Sequence, residues 1–207
     1  MEPLQEQRHA DSLWRAWSAS PDDSGWTYLW NERPTSPEAC TALLSAFAAN
    51  DDPLHFAVVA AATGEAVGTL ALMRLDAAHG NVEVGHVNFT SPLISRSRMA
   101  TEAVYLLTLA AFDAGFRRVE WKCDALNAPS VRAAARYGFV PEGVFRAHIV
   151  YKSRLRDTAW FALLREEWEG PRGRRAALEQ WLNSTNFDEA GAQVKSLREI
   201  SHALQQA

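Results

Sequence analysis

The sequence predicts a three-layer, mixed α/β domain in which a central sheet carries helices on both faces. Three strand patterns follow one another over residues 54–89, and strand and helix patterns then alternate as far as residue 164. Strands joined by tight turns pair antiparallel, whereas a strand–helix–strand unit makes a crossover between parallel strands. The combination predicts a mixed sheet covered by helices.

Two helices precede these strands. Residues 5–19 have a weakly amphipathic helical pattern that ends in a turn rich in Pro, Asp and Gly. Ser36 is the expected N-cap of the second helix, with Pro37 in its first turn and an end near Asn50. An aromatic triplet lies between the helices, and we interpret it as core or lid packing in preference to a substrate platform. It consists of Trp26, Tyr28 and Trp30.

Residues 54–62 and 66–75 form a predicted hairpin around Gly64. The strand at 82–89 should pair next, and it contains Gly85. A glycine inside a strand often marks a β-bulge or a place where another group lies close to the backbone. We therefore expect a group to approach this strand.

A polar loop with Arg96 and Arg98 leads from that strand into a helix that begins near Ala100 and stops at Gly115. A helix N-terminus presents about four unpaired N–H groups and roughly half a positive charge, which suits phosphate oxygens. The segment alone leaves a second interpretation open, a βα unit with an exposed basic loop.

The strand at 117–124 alternates apolar with charged residues. Glu120, Lys122 and Asp124 share one face, and burying them unpaired would be costly, so we expect them to pair or to line a wet cleft. A helix follows and stops at Gly138.

The remaining sequence predicts two strands within residues 139–169, joined by a basic turn. We interpret that turn as a solvated hairpin tip in preference to a grip on an acidic group. Its cations are Arg146, Lys152, Arg154 and Arg156. Helices are predicted over 174–182 and about 190–205, and their apolar residues must be buried against the domain or a second subunit. These are Trp181, Leu182, Val194, Leu197, Ile200 and Leu204.

Length, charge and cysteine content limit the class of protein. The 207 residues suit one domain with an appended element, and 21 Lys+Arg against 25 Asp+Glu give a net charge of −4. That balance implies no general affinity for nucleic acid or membrane. Cys40 and Cys123 lie far apart, and no metal site is predicted. We see no signal segment and no 18-residue apolar run, and we expect a soluble, cytoplasmic protein.

Five segments carry a family resemblance when they are taken in order. They are EVGHVNF (83–89), ATEA (100–103), WKCDALNAPS (121–130), AARYGFVPEGVFR (134–146) and RDTAWFALLREEW (156–168). Together they resemble the GNAT superfamily of acetyl-CoA-dependent N-acetyltransferases, in the branch of RimJ/RimL-type ribosomal-protein N-terminal acetyltransferases.

The resemblance implies a twisted, mostly antiparallel sheet that is splayed open between its fourth and fifth strands. Those strands would be residues 82–89 and 117–124. The GNAT domain would occupy residues 1–169, and residues 170–207 would form a helical extension packed on the domain or on the second subunit of a homodimer.

The resemblance also implies acetyl-CoA as the cofactor. Its pyrophosphate would lie on the N-terminus of the helix that begins near Ala100, and its pantetheine arm would follow the fourth strand. Asn127 is either a pantetheine ligand or the N-cap of the helix after it. The residues implied in cofactor binding are Val87, Asn88, Phe89, Arg96, Ser97, Arg98, Met99, Ala100, Thr101, Asn127 and Ser130.

Two positions depart from the family pattern. The loop signature Gln/Arg-x-x-Gly-x-Gly/Ala falls on Ser95, Arg98 and Ala100, so only its small last residue is kept. Arg98 in place of glycine leaves three alternatives. The backbone amides still bind phosphate while the side chain points outward, the guanidinium itself contacts phosphate, or phosphate binding is impaired. Ala134 stands where many relatives carry a Tyr or Ser that protonates the leaving thiolate.

Acetyl transfer requires a neutral amine, a hydrogen-bond donor to the thioester carbonyl and a leaving thiolate. A backbone N–H near a bulge in the fourth strand can be that donor. Glu83 and Glu120 are the expected general-base carboxylates, acting directly or through water, and His86 ranks third. Ser130 or Tyr137 would protonate the thiolate, although a thiol pKa of about 8.5 makes that acid dispensable.

Two other functions remain open at this point. Arg98 and Ala134 motivate a non-catalytic acyl-CoA-binding sensor or interaction protein, whereas a nucleotide-binding α/β protein lacks any glycine fingerprint and ranks last. The amine acceptor is open between a protein N-terminus, a free amino acid, a polyamine and a drug amine.

Overall fold

The computed structural model describes residues 1–95 and 97–206, and that part of the chain contains a seven-stranded mixed sheet. The strands are β1 (Glu2–Pro3), β2 (Leu54–Val59), β3 (Ala66–Asp76), β4 (Asn81–Asn88), β5 (Arg118–Asp124), β6 (Val140–Tyr151) and β7 (Arg154–Leu164). Their order is β1-β2-β3-β4-β5-β7-β6, with only β4 and β5 parallel in the described residues. The predicted mixed sheet is confirmed.

The helices of the described residues cover both faces of this sheet. They are α1 (Glu6–Ser18), α2 (Pro37–Ala48), α3 (Arg98–Asp113), α4 (Ala128–Tyr137), α5 (Arg165–Trp168), α6 (Arg174–Leu182) and α7 (Leu197–Gln206). On one face Leu13 of α1 and Leu44 of α2 are buried in one cluster with Ala57 of the sheet. On the other face Leu107 of α3 is buried with Val119 of β5 in a separate cluster. The three layers therefore enclose two cores.

Local capping chemistry sets the ends of several helices. Ser36 accepts a hydrogen bond from the Ala39 N–H at 3.2 Å, with Pro37 in the first turn, as predicted. Ser97 caps α3 in the same way, so α3 begins about two residues before the predicted start. Gly138 ends α4 with φ of 95°, a left-handed conformation that favours glycine.

The parallel pairing of β4 with β5 is short. It runs from Asn81 opposite Arg118 to Glu83 opposite Glu120, and beyond that point the two strands diverge. β4 also bulges, because two of its residues stand opposite a single residue of β3 and His86 has φ of 48°. The predicted splay between the fourth and fifth strands and the predicted bulge are both confirmed.

The C-terminal residues pack on the same core as α3 and α4. Trp181, Leu197 and Ile200 are buried together with Tyr137 of α4. The helix predicted over about 190–205 is wrong at its start, since α7 begins only at Leu197.

The segment before α7 is instead a closed loop. The buried Asn186 side chain accepts from the Lys195 N–H and donates to the Lys195 and Trp181 carbonyls. These bonds satisfy backbone groups that a helix would have paired within itself. As a result Val194 is 65% exposed, and its predicted burial is wrong.

Replacing Gly138 with alanine should destabilise the protein more than the same change at Gly64. Both glycines have positive φ, which costs a side chain about 1–2 kcal/mol. A Cβ at Gly64 meets nothing within 4 Å, whereas one at Gly138 would overlap the Arg174 side chain, which donates to Ser201 of α7. We expect Gly138→Ala to lower the free energy of unfolding by roughly 1 kcal/mol beyond Gly64→Ala in urea titrations. Equal losses would contradict this packing role.

Candidate active site

A cavity of about 470 Å³ opens where β4 and β5 separate. Its size is typical of small-molecule sites. Its walls come from the outer part of β4, from β5, from the first turn of α4, from the β6–β7 hairpin and from the aromatic segment after α1. We call this cavity the cleft.

The two faces of β5 divide the cleft. Trp121 and Cys123 belong to the core beneath α3 and α4, whereas Lys122 and Asp124 point to the opposite face, because side chains alternate along a strand. All four line the cleft, which is therefore open towards both layers of helices. A ligand could enter from each side and meet another between the strands.

The start of α3 has the features that an anion needs. Ser97 Oγ accepts from the Ala100 N–H at 3.1 Å, while the amides of Arg98 and Met99 donate to no acceptor among residues 1–95 and 97–206. Helix N-termini attract anions through such free amides. The sequence prediction of Arg96 in this site falls on a residue outside the described ranges.

Arg98 points away from this helix start. Its guanidinium donates to the Leu182 carbonyl and lies 4.7 Å from the centroid of the Phe187 ring, both in the C-terminal extension. Of the three alternatives for this position, the geometry matches the outward side chain that leaves the backbone amides accessible.

The predicted pantetheine contacts on β4 divide into two groups. Val87 and Asn88 line the cleft, although the Asn88 side chain is buried and accepts from Thr90. Phe89 and Met99 instead pack on the core. Their side chains are therefore structural, and only their backbones could meet a ligand.

Buried Thr101 accepts from Arg136 on α4, at 2.9 Å from Nη1. Its hydroxyl oxygen is engaged within the protein. The predicted contact of Thr101 with the cofactor therefore rests on its backbone.

Asn127 and Ser130 meet at the start of α4, on the α3 side of the cleft. Asn127 Oδ1 accepts from the Ser130 N–H at 3.1 Å, so the N-cap role is confirmed. Its amide nitrogen has no acceptor among the described residues, which leaves it available to a ligand as well. Ser130 Oγ accepts from Trp121 Nε1 at 3.0 Å, and its hydroxyl also forms a hydrogen bond with Cys123 that partly offsets the effect of burial on the pKa of that thiol.

Tyr137, the other predicted acid, lies seven residues further along α4, about 10 Å away. Its ring is buried in the core against Trp121 and is not part of the cleft wall. Burial raises the pKa of Tyr137, which makes it a weaker acid. Of these two residues, Ser130 lines the cleft and Tyr137 does not.

Four charged side chains form a row across the point where the strands part. Glu83, only 3% exposed, lies 2.5 Å from Arg74 Nη1 and 3.1 Å from Lys122 Nζ. Lys122 also pairs with Glu120 at 2.6 Å. The expected pairing on the polar face of β5 is confirmed, and only Glu83 of the two predicted bases lines the cleft.

Glu120 is poorly placed for proton transfer. Burial would raise the pKa of its carboxyl, but hydrogen bonds from Lys122 and Arg118 outweigh burial and hold the pKa below its ordinary value. Both cations contact it directly, and it does not line the cleft.

Gly85 has a packing explanation. A Cβ there would lie 2.5 Å from Met73 Sδ and 3.3 Å from Glu83 Oε1. The group that approaches β4 at this glycine is thus a side chain of the protein itself, and it lies on the cleft face.

A histidine pair that the sequence reasoning missed lies on the same face. His55 of β2 stacks on Phe47 of α2 at 4.2 Å, and the His86 ring meets His55 edge-on at 5.0 Å. Burial and the charge of His86 lower the pKa of His55 to about 4, and burial and Arg74 lower the pKa of His86. Both imidazoles are therefore neutral at pH 7. A histidine inside the apolar strand pattern of 54–59 was the available signal.

The interpretation of the basic turn as a solvated tip is wrong for three of its cations. Lys152 Nζ donates to the Trp26 carbonyl at 2.9 Å and pairs with Glu32, and Arg154 Nη2 lies 2.6 Å from Asp124 Oδ2. Lys152 and its neighbour Ser153 have positive φ. The turn is therefore packed against residues of the cleft wall, and Arg156, which follows it on β7, lines the cleft as well. Arg146 is exposed, as the tip interpretation expected.

The aromatic triplet packs in the core and also covers part of the cleft, as the core or lid interpretation expected. Trp26 is 2% exposed in the core, where it meets Trp17 edge-on. The Tyr28 hydroxyl donates to the Leu126 carbonyl at 3.0 Å, and Trp30 packs on Tyr151. All three side chains belong to the wall of the cleft.

Within residues 1–95 and 97–206, no helix is long and apolar enough to cross a membrane. The same residues contain no group of three or more His, Cys, Asp or Glu side chains that could hold a metal ion.

Three relatives illustrate what the chain resembles. A GCN5-related N-acetyltransferase from Brucella melitensis is 44% identical and matches with a TM-score of 0.92 over 97% of this chain and 90% of that one. The uncharacterized N-acetyltransferase p20 of Bacillus licheniformis is 29% identical over 121 residues, which span 56% of this chain and 65% of that protein. Mycobacterium smegmatis RimJ in complex with CoA-disulfide matches with a TM-score of 0.66 over 86% of each chain, at 20% identity, which shows the fold alone.

A sheet that splays beside an open helix start defines the acyltransferase class of fold. The acetyltransferase (GNAT) domain family matches residues 1–140, so this chain belongs to the GNAT acetyltransferase family. The predicted family, its fold and its enzyme class are confirmed. Members of the family use acetyl-CoA.

The neutral histidine pair should make the protein less stable as the pH falls from 6.5 towards 5. The unfolded chain then protonates His55 at its ordinary pKa of 6.5, whereas the folded protein resists down to about 4. Each such histidine lowers the free energy of unfolding by up to about 1.4 kcal/mol per pH unit in this window. His55→Phe, which keeps the stack on Phe47, should flatten the slope in urea titrations at pH 6.5 and 5. The same change at exposed His202 should not, and an unaltered slope in His55→Phe would contradict the assignment.

Proposed function

We propose that this protein is an acetyl-CoA-dependent N-acetyltransferase that acetylates a primary amine. One observation carries the proposal. β4 and β5 stop pairing after Glu83 and Glu120, and the cleft between them reaches both faces of the sheet. A thioester from one face and an amine from the other can thus meet within the sheet.

The residues of the α3 side fit acetyl-CoA. The free amides of Arg98 and Met99 suit its pyrophosphate, and the unpaired edge of β4 beyond Glu83 suits the amides of its pantetheine arm. Asn127 offers a side-chain donor from the opposite wall. When bound, acetyl-CoA supplies the activated acetyl group, and the chain's own residues orient it and handle protons.

For the chemistry, an N–H near the β4 bulge at His86 is the proposed donor to the thioester carbonyl. Glu83 lines the cleft and is the leading proposed base, acting through water, whereas Glu120 is a weaker proposal. His86 is a second base, because it is neutral and lines the cleft. Ser130 is the proposed donor to the leaving sulfur.

Removing the Glu83 carboxylate should slow turnover. With acetyl-CoA and a panel of primary amines, we expect the wild-type protein to release free CoA thiol. Glu83→Gln should lower kcat on the order of a hundredfold, whereas Glu120→Gln, the matched control, should lower it by no more than about threefold. Thermal melts establish that each variant is folded.

An unchanged kcat in folded Glu83→Gln would reject carboxylate catalysis and leave His86 as the base to test. Acetyl-CoA binding without thiol release from any amine would favour the alternative of a non-catalytic acyl-CoA-binding sensor or interaction protein. Arg98 in place of the family glycine and Ala134 in place of a family acid motivate that alternative.

Arg98→Met should leave the affinity for CoA within about threefold of wild type, since the amides and not the guanidinium are proposed to hold phosphate. It should also lower the free energy of unfolding by about 1–2 kcal/mol, because Leu182 loses its donor and Phe187 its cation. Calorimetry and urea titration measure both effects. Exposed Arg172→Met is the control, and a tenfold loss of CoA affinity in Arg98→Met alone would indicate a direct phosphate contact.

The identity of the amine acceptor, the oligomeric state and the cellular compartment are further proposals. A protein N-terminus is a proposed acceptor, as the RimJ/RimL-type resemblance implies. A homodimer is the proposed assembly. The free thiols of Cys40 and Cys123 fit a reducing compartment such as the cytoplasm.

A further inference from the structure

Arg156 is a buried cation in the cleft without a counter-ion. Its side chain is 8% exposed and lines the cleft. It makes no hydrogen bond or ion pair within residues 1–95 and 97–206, and its Nε is fully buried without an acceptor. Arginine cannot relieve such burial by losing its proton. An unpaired guanidinium in this place is costly unless a ligand supplies an anion.

The acidic groups near Arg156 are already engaged. Asp124 accepts from the Tyr151 hydroxyl at 2.8 Å, from the Leu126 N–H at 2.8 Å and from Arg154 at 2.6 Å. Asp157, the next residue along β7, accepts from the Ala147 N–H at 2.7 Å. Arg154 thus pairs with the Asp124 carboxylate, which would otherwise be available as a counter-ion for Arg156.

Two more buried donors in the cleft wall have no acceptor in the described part of the chain. They are the indole nitrogens of Trp26 and Trp160, whose side chains line the cleft with Arg156. Both nitrogens are fully buried, so these side chains shape the cleft wall, and Arg156 remains the group in this wall that suits an anion.

The position of Arg156 assigns this ligand to one side of the sheet. Arg156 shares one face of β7 with Thr158 and Trp160, which stand opposite Asp124 and Lys122 of β5. That face is opposite to the one with Asn127 and Ser130, where the proposed function places acetyl-CoA. The missing anion therefore belongs to the acceptor.

Arg156 lies six residues along β7 from Ala162, the partner of Glu120, which is about 20 Å of strand beyond the place where β4 and β5 part. It nevertheless lines the same cleft as His86 at the β4 bulge. Burial raises the pKa of the Cys123 thiol of β5, and a hydrogen bond with Ser130 and the charge of Arg156 partly offset that rise. An anion bound by Arg156 and an amine that enters the gap would therefore share one cleft of about 470 Å³.

We infer that Arg156 determines acceptor specificity by binding a carboxylate of the acceptor. Its planar fork of donors fits a carboxylate with two hydrogen bonds. The inference rests on the proposed function and narrows its acceptor class, since it disfavours polyamines. Two sources share this chemistry, the carboxylate of a free amino acid and an acidic side chain beside a peptide N-terminus.

Matched acceptor pairs test the inference and separate the two sources. One arm compares free L-amino acids with their amides, and the other compares peptides with Asp or Asn at the second position. At pH 7.5 the amino acid amides have more of their amine neutral, so the first arm is biased against the inference. We expect kcat/KM for the carboxylate member to exceed that of its amide by at least about tenfold in one arm.

Arg156→Met should bring that ratio close to one in the peptide arm and below one in the amino acid arm, mainly through KM, and Arg156→Lys should retain part of the preference. Exposed Arg146→Met on the same hairpin is the control and should keep the ratio. A ratio near one in the wild-type protein, or an unchanged ratio in Arg156→Met, would overturn the inference while leaving acetyl transfer intact.

Absence of acetyl transfer to every amine would instead reject the proposed function, and a binding readout then decides the inference. N-acetyl amino acids should raise the melting temperature of the wild-type protein more than their amides do, and Arg156→Met should lose this difference. Equal shifts from acids and amides would overturn the inference.

Discussion

The separation of β4 from β5 is the constraint on which the rest of the molecule depends. It occurs at a pair of carboxylates, since Glu83 and Glu120 stand opposite each other in the last paired register. Lys122 contacts both, with Arg74 on one side and Arg118 on the other. Like charges in register would repel, so these cations are what allow the strands to pair up to this point.

Beyond this point the facing edges of both strands present backbone groups to the cleft. Buried backbone N–H and C=O groups need partners, and here the partners must come from a ligand or from water. A cofactor that carries amides of its own meets that need. The same opening joins the two faces of the sheet, which explains how one protein can bring two substrates together from opposite sides.

The C-terminal extension compensates for an unusual loop residue. Arg98 replaces a small residue of the family pattern, and its guanidinium is held by Leu182 and Phe187 outside the anion site. Trp181 stacks in turn under Arg136, which holds Thr101 of α3. The start of α3 and the extension are thus packed as one unit, and the Arg98 side chain leaves the first amides of α3 uncovered.

Prediction from sequence was accurate where the chemistry is local. Ser36 and Gly138 act through bonds within one turn, so their roles followed from residue type and spacing. The alternation of Glu120, Lys122 and Asp124 indicated that the charges must pair, but their partners Arg118, Glu83 and Arg154 come from several elements. Register and strand order set those contacts.

The dependence of these contacts on the placement of distant elements also explains the predictions that were wrong. The turn with Lys152 and Arg154 is basic in any context, and only its position over the cleft gives these side chains acidic and carbonyl partners. The loop before α7 has helical residue types, but the side chain of Asn186 closes it into another form.

By itself the sequence determined most of the elements and their order through periodicity and capping, and the resemblance of its motifs to the GNAT family implied the family and the place of the splay. The tertiary structure decided which side chains share the cleft, that His55 and His86 are neutral neighbours, and that Arg156 lacks a counter-ion. Charge pairing and desolvation act through space between residues far apart in sequence, so their outcome exists only once the strands are placed.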